Sequence, residues 1–259
     1  MVCQFDILRN CKTGNDVKKA LADLPKTLDE TYARILNAIS EDDRGRARSI
    51  LQWLSFSARH LTLQEVAEAA VLRPGDDPIN PDDRLDDAED VLRICHSLVS
   101  LSREKIWICG KRIECDVVRF AHFSVQEYLM SDRSGSFTIS DKEAHNYIGE
   151  SCISYLLSMN QPDLPEQCLD DNPLFRYSAE HWFTHVKKVE SYKDMASNLL
   201  DRTHKLFSQE FTGSFVHWLQ VCDPCNYLEL DFRKSVSDFP SRFIMHRRWV
   251  HRRLFHGFS

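Results

Sequence analysis

Glycine is scarce in this 259-residue chain, with eight in all. None of them falls in a Gly-x-x-x-x-Gly-Lys-Ser/Thr loop that cradles phosphates, nor in Gly-x-Gly-x-x-Gly. A Gly-x-Ser-x-Gly nucleophile elbow is missing as well. These gaps exclude a self-contained NTPase, dehydrogenase or serine hydrolase, so the chain reads as a non-enzyme that carries no cofactor of its own. Long apolar runs are lacking too: none approaches the roughly 20 residues needed to cross a bilayer, and no membrane association is expected. The first residues, Met1 to Asp6, lack the basic-then-apolar layout of a signal peptide. The nine cysteines are odd in number and scattered. Without a secretory signal they imply free thiols in a reducing, cytoplasmic setting. Positive charge is in deficit, 33 Lys and Arg against 39 Asp and Glu, and the net charge of -6 gives no general reason to bind nucleic acid.

What is present is helical periodicity. Residues 1–23 read as a helix with Phe5, Leu8, Val17 and Leu21 inward, broken by Pro25. Thr27-Leu28-Asp29-Glu30 is a capping box, in which a threonine hydroxyl takes an orphan amide and a glutamate reaches back. Leu28, Tyr32, Ile35, Leu36 and Ile39 follow at helical spacing. A second helix near 42–56 turns Ala47, Ile50, Leu51 and Leu54 inward. Thr62-Leu63-Gln64-Glu65 is another capping box, with Leu61 placed to staple onto Val66. Prolines and aspartates over 73–84 mark a loop, and a helix is expected from Leu85 to about His96. Ser97–Ser102 and Cys115–Ala121 read as strands, with a short extra strand at Ile106–Cys109 near a tip containing Lys105, Gly110 and Lys111. Helix resumes from Phe123 to Met130. Beyond the polar break at Ser131–Ser140 the pattern is helical throughout. One stripe is Tyr147, Ile148, Cys152, Tyr155 and Leu156. Another is Phe175, Ala179, Trp182, Phe183 and Val186, behind Pro173 at a first-turn position. Met195, Leu199, Leu206, Phe207, Phe215, Trp218 and Leu219 complete it. The fold class is therefore mainly α with a small β-hairpin: a winged-helix-like domain followed by an all-helical annex.

Three segments carry a family resemblance: Leu24-Pro25-Lys26-Thr27-Leu28-Asp29-Glu30-Thr31-Tyr32, Ala121-His122-Phe123-Ser124-Val125-Gln126-Glu127-Tyr128-Leu129, and Tyr177-Ser178-Ala179-Glu180-His181-Trp182. Together they resemble the region following the NTPase core in fungal NACHT–ankyrin proteins of the STAND signalling class, a region similar to the winged-helix module named after GPI inositol-deacylase. The resemblance implies four parts: residues 1–23 as a remnant of the helical lid, 24–132 as the winged helix, 133–230 as the helical annex, and 231–259 as a tail. It also implies a regulatory or scaffolding module whose partners are proteins, an NTPase domain and ankyrin repeats. The chain would be truncated before the P-loop and at the start of the repeats, leaving surfaces prone to self-association. No hydrolase motif is present, so the deacylase name implies no activity.

Within that resemblance His122 is the candidate nucleotide-binding residue. The matching histidine of NOD-like receptors touches the β-phosphate of ADP, so His122 would sense a nucleotide only when an NTPase domain is supplied. The plainer alternative is a histidine that caps the following helix or packs in the core. No catalytic residue is expected. The first alternative is part of an NTP-binding enzyme that needs a missing domain. Asp82, Asp83, Asp86, Asp87, Glu89 and Asp90 crowd the helix that would enter a DNA groove, with only Arg84 opposing them, so a DNA-reading winged helix is the weaker alternative. Cys222-Asp223-Pro224-Cys225 with His217 has a metal-like spacing, yet four ligands are needed and no second such pair exists, so no metal is expected. Asp170 and Asp171 read as solvated linker.

The basic tail has a specific reading. Codons built from the last base of one codon and the first two of the next turn Met245-His246 into alanine and Trp249-Val250 into glycine. Those residues fall four apart, as in an ankyrin helix. Arg242 to Met245 permit Pro, Leu, Tyr and Tyr ahead of them. Residues 242–259 are thus expected to be an out-of-frame start of an ankyrin repeat.

Overall fold

The computed structural model describes Thr13 and residues 27–74, 80–108, 110–163, 168–189 and 197–222. The expected helix over 1–23, the break at Pro25, the centre of the 73–84 loop, Met195, residues 223–225 and the 231–259 tail lie outside the described residues. Contacts divide the chain into two compact units, one of residues 1–70, 85–104 and 114–141, the other of 71–84, 105–113 and 142–259.

The first unit opens with α1 (Leu28–Ala38). Thr27 is extended, and its hydroxyl accepts the Glu30 N–H at 3.2 Å, the expected cap. Tyr32, Leu36 and Ile39 are buried, but Leu28 is 57 % exposed. Helical side chains lean toward the N-terminus, so this first-turn leucine overhangs the start of the helix instead of leading its core stripe. A 3-10 turn capped by Ser40 leads into α2 (Arg44–Phe56). There the fully buried Trp53 takes the inward position expected of Leu54, which is only half-buried.

β1 (Leu61–Thr62) runs directly into α3 (Leu63–Val71). The second capping box closes in both directions: Thr62 Oγ1 accepts the Glu65 N–H at 3.2 Å, and Glu65 Oε2 accepts the Thr62 N–H at 2.8 Å. Leu61 and Val66 are both buried, as a staple requires. The next helix, α4 (Asp90–Cys95), starts later than the expected Leu85. The Asp87 carboxylate accepts the Glu89 N–H at 2.9 Å, and the Asp87 carbonyl accepts the Asp90 N–H at 3.0 Å. Aspartate side chains that bond nearby amides favour a turn over a helix.

The hairpin is longer than the sequence pattern implies. β2 (Val99–Ile108) and β3 (Lys111–Phe120) each run ten residues and turn through Gly110, whose φ of 74° suits glycine. Its charged stretch pairs across the strands: Arg103 reaches Glu114 at 3.2 Å and Asp116 at 3.6 Å, and Arg119 reaches Glu104 at 2.7 Å. Sheet order is β1-β3-β2, with Leu61 opposite Val118 and Thr62 opposite Val117, antiparallel. Helix, strand, two helices and a hairpin whose last strand pairs with the first strand make a winged helix. α5 (Phe123–Leu129) and a 3-10 segment at Asp132–Phe137 follow.

Apart from residues 105–113 of the hairpin, the second unit is built of helices: α6 (Asp141–Ser158, beginning one residue before it), α7 (Cys168–Asp171), α8 (Leu174–Lys188), α9 (Ser197–Leu206) and α10 (Thr212–Val221). α6 does not bury a single stripe. From Ile148 to Leu157 every residue except Glu150 is buried, because small residues (Gly149, Ser151, Ser154) stand beside the apolar stripe where a polar face would otherwise lie. Trp182 of α8 and Trp218 of α10 meet edge to face at 5.4 Å, and the Trp218 indole N–H donates to the Ala179 carbonyl at 2.9 Å. Among the described residues no helix is long and apolar enough to cross a membrane.

At the start of α10 the backbone of Gly213 lies against the chain leaving α6. A Cβ there would sit 2.7 Å from the Gln161 carbonyl oxygen. Gly213→Ala is therefore expected to cost about 1–3 kcal/mol by overpacking. Gly45→Ala, in α2 with nothing within 4 Å of its Cβ position, should be neutral or stabilising by up to about 1 kcal/mol. Urea melts of the two variants check the contrast; equal midpoints would show that the Gly213 contact is slack.

Candidate functional site

The hairpin delivers the chain to the start of α5, where the Ala121 N–H donates to the Leu98 carbonyl at 2.9 Å. His122 is extended (φ -153°, ψ 145°) and caps α5: its Nδ1 accepts the Ser124 N–H at 3.2 Å. The Ser124 hydroxyl lies 2.7 Å from the same nitrogen, and the Tyr32 hydroxyl lies 2.7 Å from Ser124 Oγ. With Nδ1 accepting the Ser124 N–H, the Ser124 hydroxyl shares that nitrogen and links it to the Tyr32 hydroxyl. A neutral imidazole with an accepting Nδ1 carries its proton on Nε2. His122 is exposed, so it presents an N–H donor outward from a ring held by two partners.

The rest of α5 frames that donor. Phe123 is 68 % exposed with its ring 4.4 Å from the His122 ring, and Met130, just past the helix, is 49 % exposed. With exposed Glu127 they lie at i, i+4 and i+7, one line along a helical surface. Val125, Tyr128 and Leu129 on the other side are buried. Tyr128 packs on Tyr32 at 5.5 Å, and the Gln126 amide donates to the Ser55 carbonyl at 2.8 Å. His122 and the Phe123–Glu127–Met130 line, two apolar side chains with a carboxylate between them, thus stand on a helix fixed to α1 and α2. Sequence reasoning named His122 but missed Tyr32 and Ser124 as its support. Both lie within the quoted motifs, and the signal was simply two hydroxyls in the segments that resemble the family.

The fold and this site define a winged-helix domain with an exposed histidine at the turn into its last helix. Residues 35–140 match the family model described as GPI inositol-deacylase, winged helix domain. The chain is also similar to the azaphilone pigments biosynthesis cluster protein L of Monascus ruber, with 34 % identity over 247 residues, 90 % of this chain and 50 % of that protein. It spans about half the length of that curated relative. No solved structure matches it.

The other sequence candidates do not converge. Asp82, Asp83, Asp86, Asp87 and Glu89 are exposed, and Arg93 pairs with Asp87 and Asp90. Arg84 turns to the Asp171 carbonyl and the Asn172 side chain, at 2.9 and 3.1 Å. Asp170 and Asp171 close the short α7. His217 is buried and its Nδ1–H donates to the Met159 carbonyl at 2.7 Å. Cys222 is described but its partner Cys225 is not, and among the described residues no three His, Cys, Asp or Glu side chains converge as metal ligands. Burial pushes the Cys95 and Cys152 thiols up to about 12, which makes them packing groups and not nucleophiles.

One cluster escaped sequence reading altogether. In the second unit His145 Nδ1 lies 2.9 Å from His185 Nδ1, and the Tyr177 hydroxyl lies 2.8 Å from His185 Nε2. Burial, then the neighbouring His145, holds His185 down to about 3. One proton must sit between the two Nδ1 atoms, so the histidines are complementary tautomers. The arrangement fixes α6 against α8.

Proposed function

We propose that this chain is a non-catalytic regulatory and scaffolding module of a STAND-type NACHT–ankyrin signalling protein, working in the cytoplasm. Its partners are an NTPase domain and ankyrin repeats. The observation that carries this reading is the exposed His122, its Nδ1 engaged by Ser124 and its other ring nitrogen left for a donor role, beside the exposed Phe123 and Met130. A donor of that kind can bond a nucleotide phosphate held by another domain, while Phe123 and Met130 give that domain a surface to close on. The family match over residues 35–140 supports a winged helix of this type, and the resemblance of the three motif segments supplies the signalling role. The Monascus ruber relative is named for a pigment biosynthesis cluster, which fits a regulatory role beside such a cluster. The chain carries no phosphate loop, so the NTPase chemistry belongs to the partner domain.

Two measurements test the reading. Calorimetry of the isolated chain with ATP should show no binding, and micromolar affinity would defeat the proposal. With an NTPase domain from a relative fused upstream, His122→Asn should release ADP about tenfold faster, the loss of one charge-assisted hydrogen bond. Asparagine is itself a good helix cap, so the fold should be unchanged, whereas His122→Ala should add a stability loss of about 1 kcal/mol. Unaltered ADP release in His122→Asn would leave His122 as a cap alone.

A further inference from the structure

We infer that the outer end of the β2–β3 hairpin docks on the acidic Asp82–Asp90 run of a second copy of this chain. The surface is distinct from the α5 stripe, and the inference stands whether or not the signalling role holds.

The hairpin end is a basic island in an acidic protein. Residues 105–113 read Lys-Ile-Trp-Ile-Cys-Gly-Lys-Arg-Ile, three cations and no anion, in a chain of net charge -6. Lys105, Lys111 and Arg112 are exposed, and none takes part in an ion pair among the described residues, unlike Arg103 and Arg119 further down the same strands. Two large apolar side chains stand among them: Trp107 is 61 % exposed and Ile113 40 %. Charged side chains around exposed aromatic and aliphatic anchors form the ordinary make-up of a protein interface centre and its rim.

The complement lies on the same polypeptide. Residues 82–90 read Asp-Asp-Arg-Leu-Asp-Asp-Ala-Glu-Asp, six anions to one cation. Arg93 occupies Asp87 and Asp90, and Arg84 is turned to the Asp171 carbonyl and Asn172. Asp82, Asp83 and Asp86 stay exposed with no ion pair among the described residues. Lys105, Lys111 and Arg112 would then meet Asp82, Asp83, Asp86 and the likewise unpaired Glu89 of another copy, with half-buried Leu85 and Ala88 inside the run as apolar ground for Trp107. A polyanion such as duplex DNA or an anionic bilayer fits less well, since the acidic chain as a whole would be repelled by it. Every copy carries both surfaces, so two copies can close with the contact made twice, or the contact can propagate head to tail.

Sedimentation velocity of the full chain should show association at about 50 mM salt that weakens at least about tenfold near 0.5 M, as exposed charges are screened. Lys111→Glu with Arg112→Glu, and separately Asp82→Lys with Asp83→Lys and Asp86→Lys, should each be monomeric. Mixing the two variants should restore a pair, because each then supplies the surface the other has reversed. None of these side chains makes a hydrogen bond that the fold needs. Should a multiple variant fail to fold, Arg112→Glu and Asp86→Lys serve singly. A parent that is monomeric at low salt, variants that associate like the parent, or a mixture that stays monomeric each overturns the inference. So does parent binding to duplex DNA or phosphatidylserine vesicles that is lost in Lys111→Glu/Arg112→Glu while self-association persists.

Discussion

Glu65→Ala is expected to destabilise the winged-helix unit by about 3–5 kcal/mol, the cost of leaving a buried charge without its partner. The Arg59 and Glu65 side chains are only 11 % and 3 % exposed, and they meet through two bonds, Nη2 to Oε1 at 2.6 Å and Nη1 to Oε2 at 2.8 Å. Oε2 also accepts the Thr62 N–H. Removing the carboxylate therefore strips the guanidinium of its counter-charge and opens the capping box at the corner where β1 becomes α3. That corner holds Leu61 and Thr62 opposite Val118 and Val117, so the damage reaches the hairpin. Replacing both partners by apolar residues, Arg59→Met with Glu65→Leu, should recover much of the loss, since no uncompensated charge remains. Chemical denaturation of parent, single and double variants checks the ordering. A Glu65→Ala cost below about 1 kcal/mol would mean that water reaches Arg59 and replaces the carboxylate.

The same corner shows what could be read in advance. The Thr27 cap and the two-way Thr62–Glu65 box were legible because their bonds run between residues three apart, and local spacing encodes local bonds. The helix-to-hairpin order, and with it the mainly helical class, followed from periodicity. Elements were misjudged where a distant partner decides. β1 is two residues long and exists only through pairing with β3. The charged middle of β2 and β3 lacks the alternation of a half-buried strand and is held by Arg103, Glu104, Glu114 and Arg119 across the hairpin. α4 was overextended because the Asp87 turn competes with the helix. At the candidate site, His122 was singled out only because its segment resembles a family motif, whereas Tyr32 lies 92 positions from Ser124, and no spacing rule connects them. His145 and His185, 40 positions apart, were likewise invisible: each alone looks like any histidine in a helix.

That histidine pair makes the second large effect, a loss of stability in acid. The folded chain holds His185 near 3 against the usual 6.5, through burial first, then the like charge His145 would carry, then His181 and Lys188. Between those values the unfolded chain binds a proton at this position and the folded chain does not. The contribution is therefore fully present above about pH 6.5 and is lost progressively as the pH falls toward 3. Its ceiling is about 5 kcal/mol, at 1.36 kcal/mol for each unit of displacement. The groups around the pair modify the slope without reversing it. Glu150, raised by burial and partly restored by its Arg202 partner, holds its proton more readily in the folded chain and opposes the trend near its own titration. His217, lowered by burial, adds to it. Urea midpoints of the parent should hold above about pH 6.5 and fall most steeply from about pH 6 toward 3, in the sense that linkage requires. His185→Gln keeps a hydrogen-bonding side chain but cannot titrate, so its midpoints should start lower and fall much less over the same range. Imidazole nitrogen shifts should show one histidine that stays neutral to pH 4 or below in the parent and is missing from the variant. A His185 that titrates near 6.5, or a variant with the parent's pH slope, would show that water reaches the pair and that α6 and α8 are not locked by it.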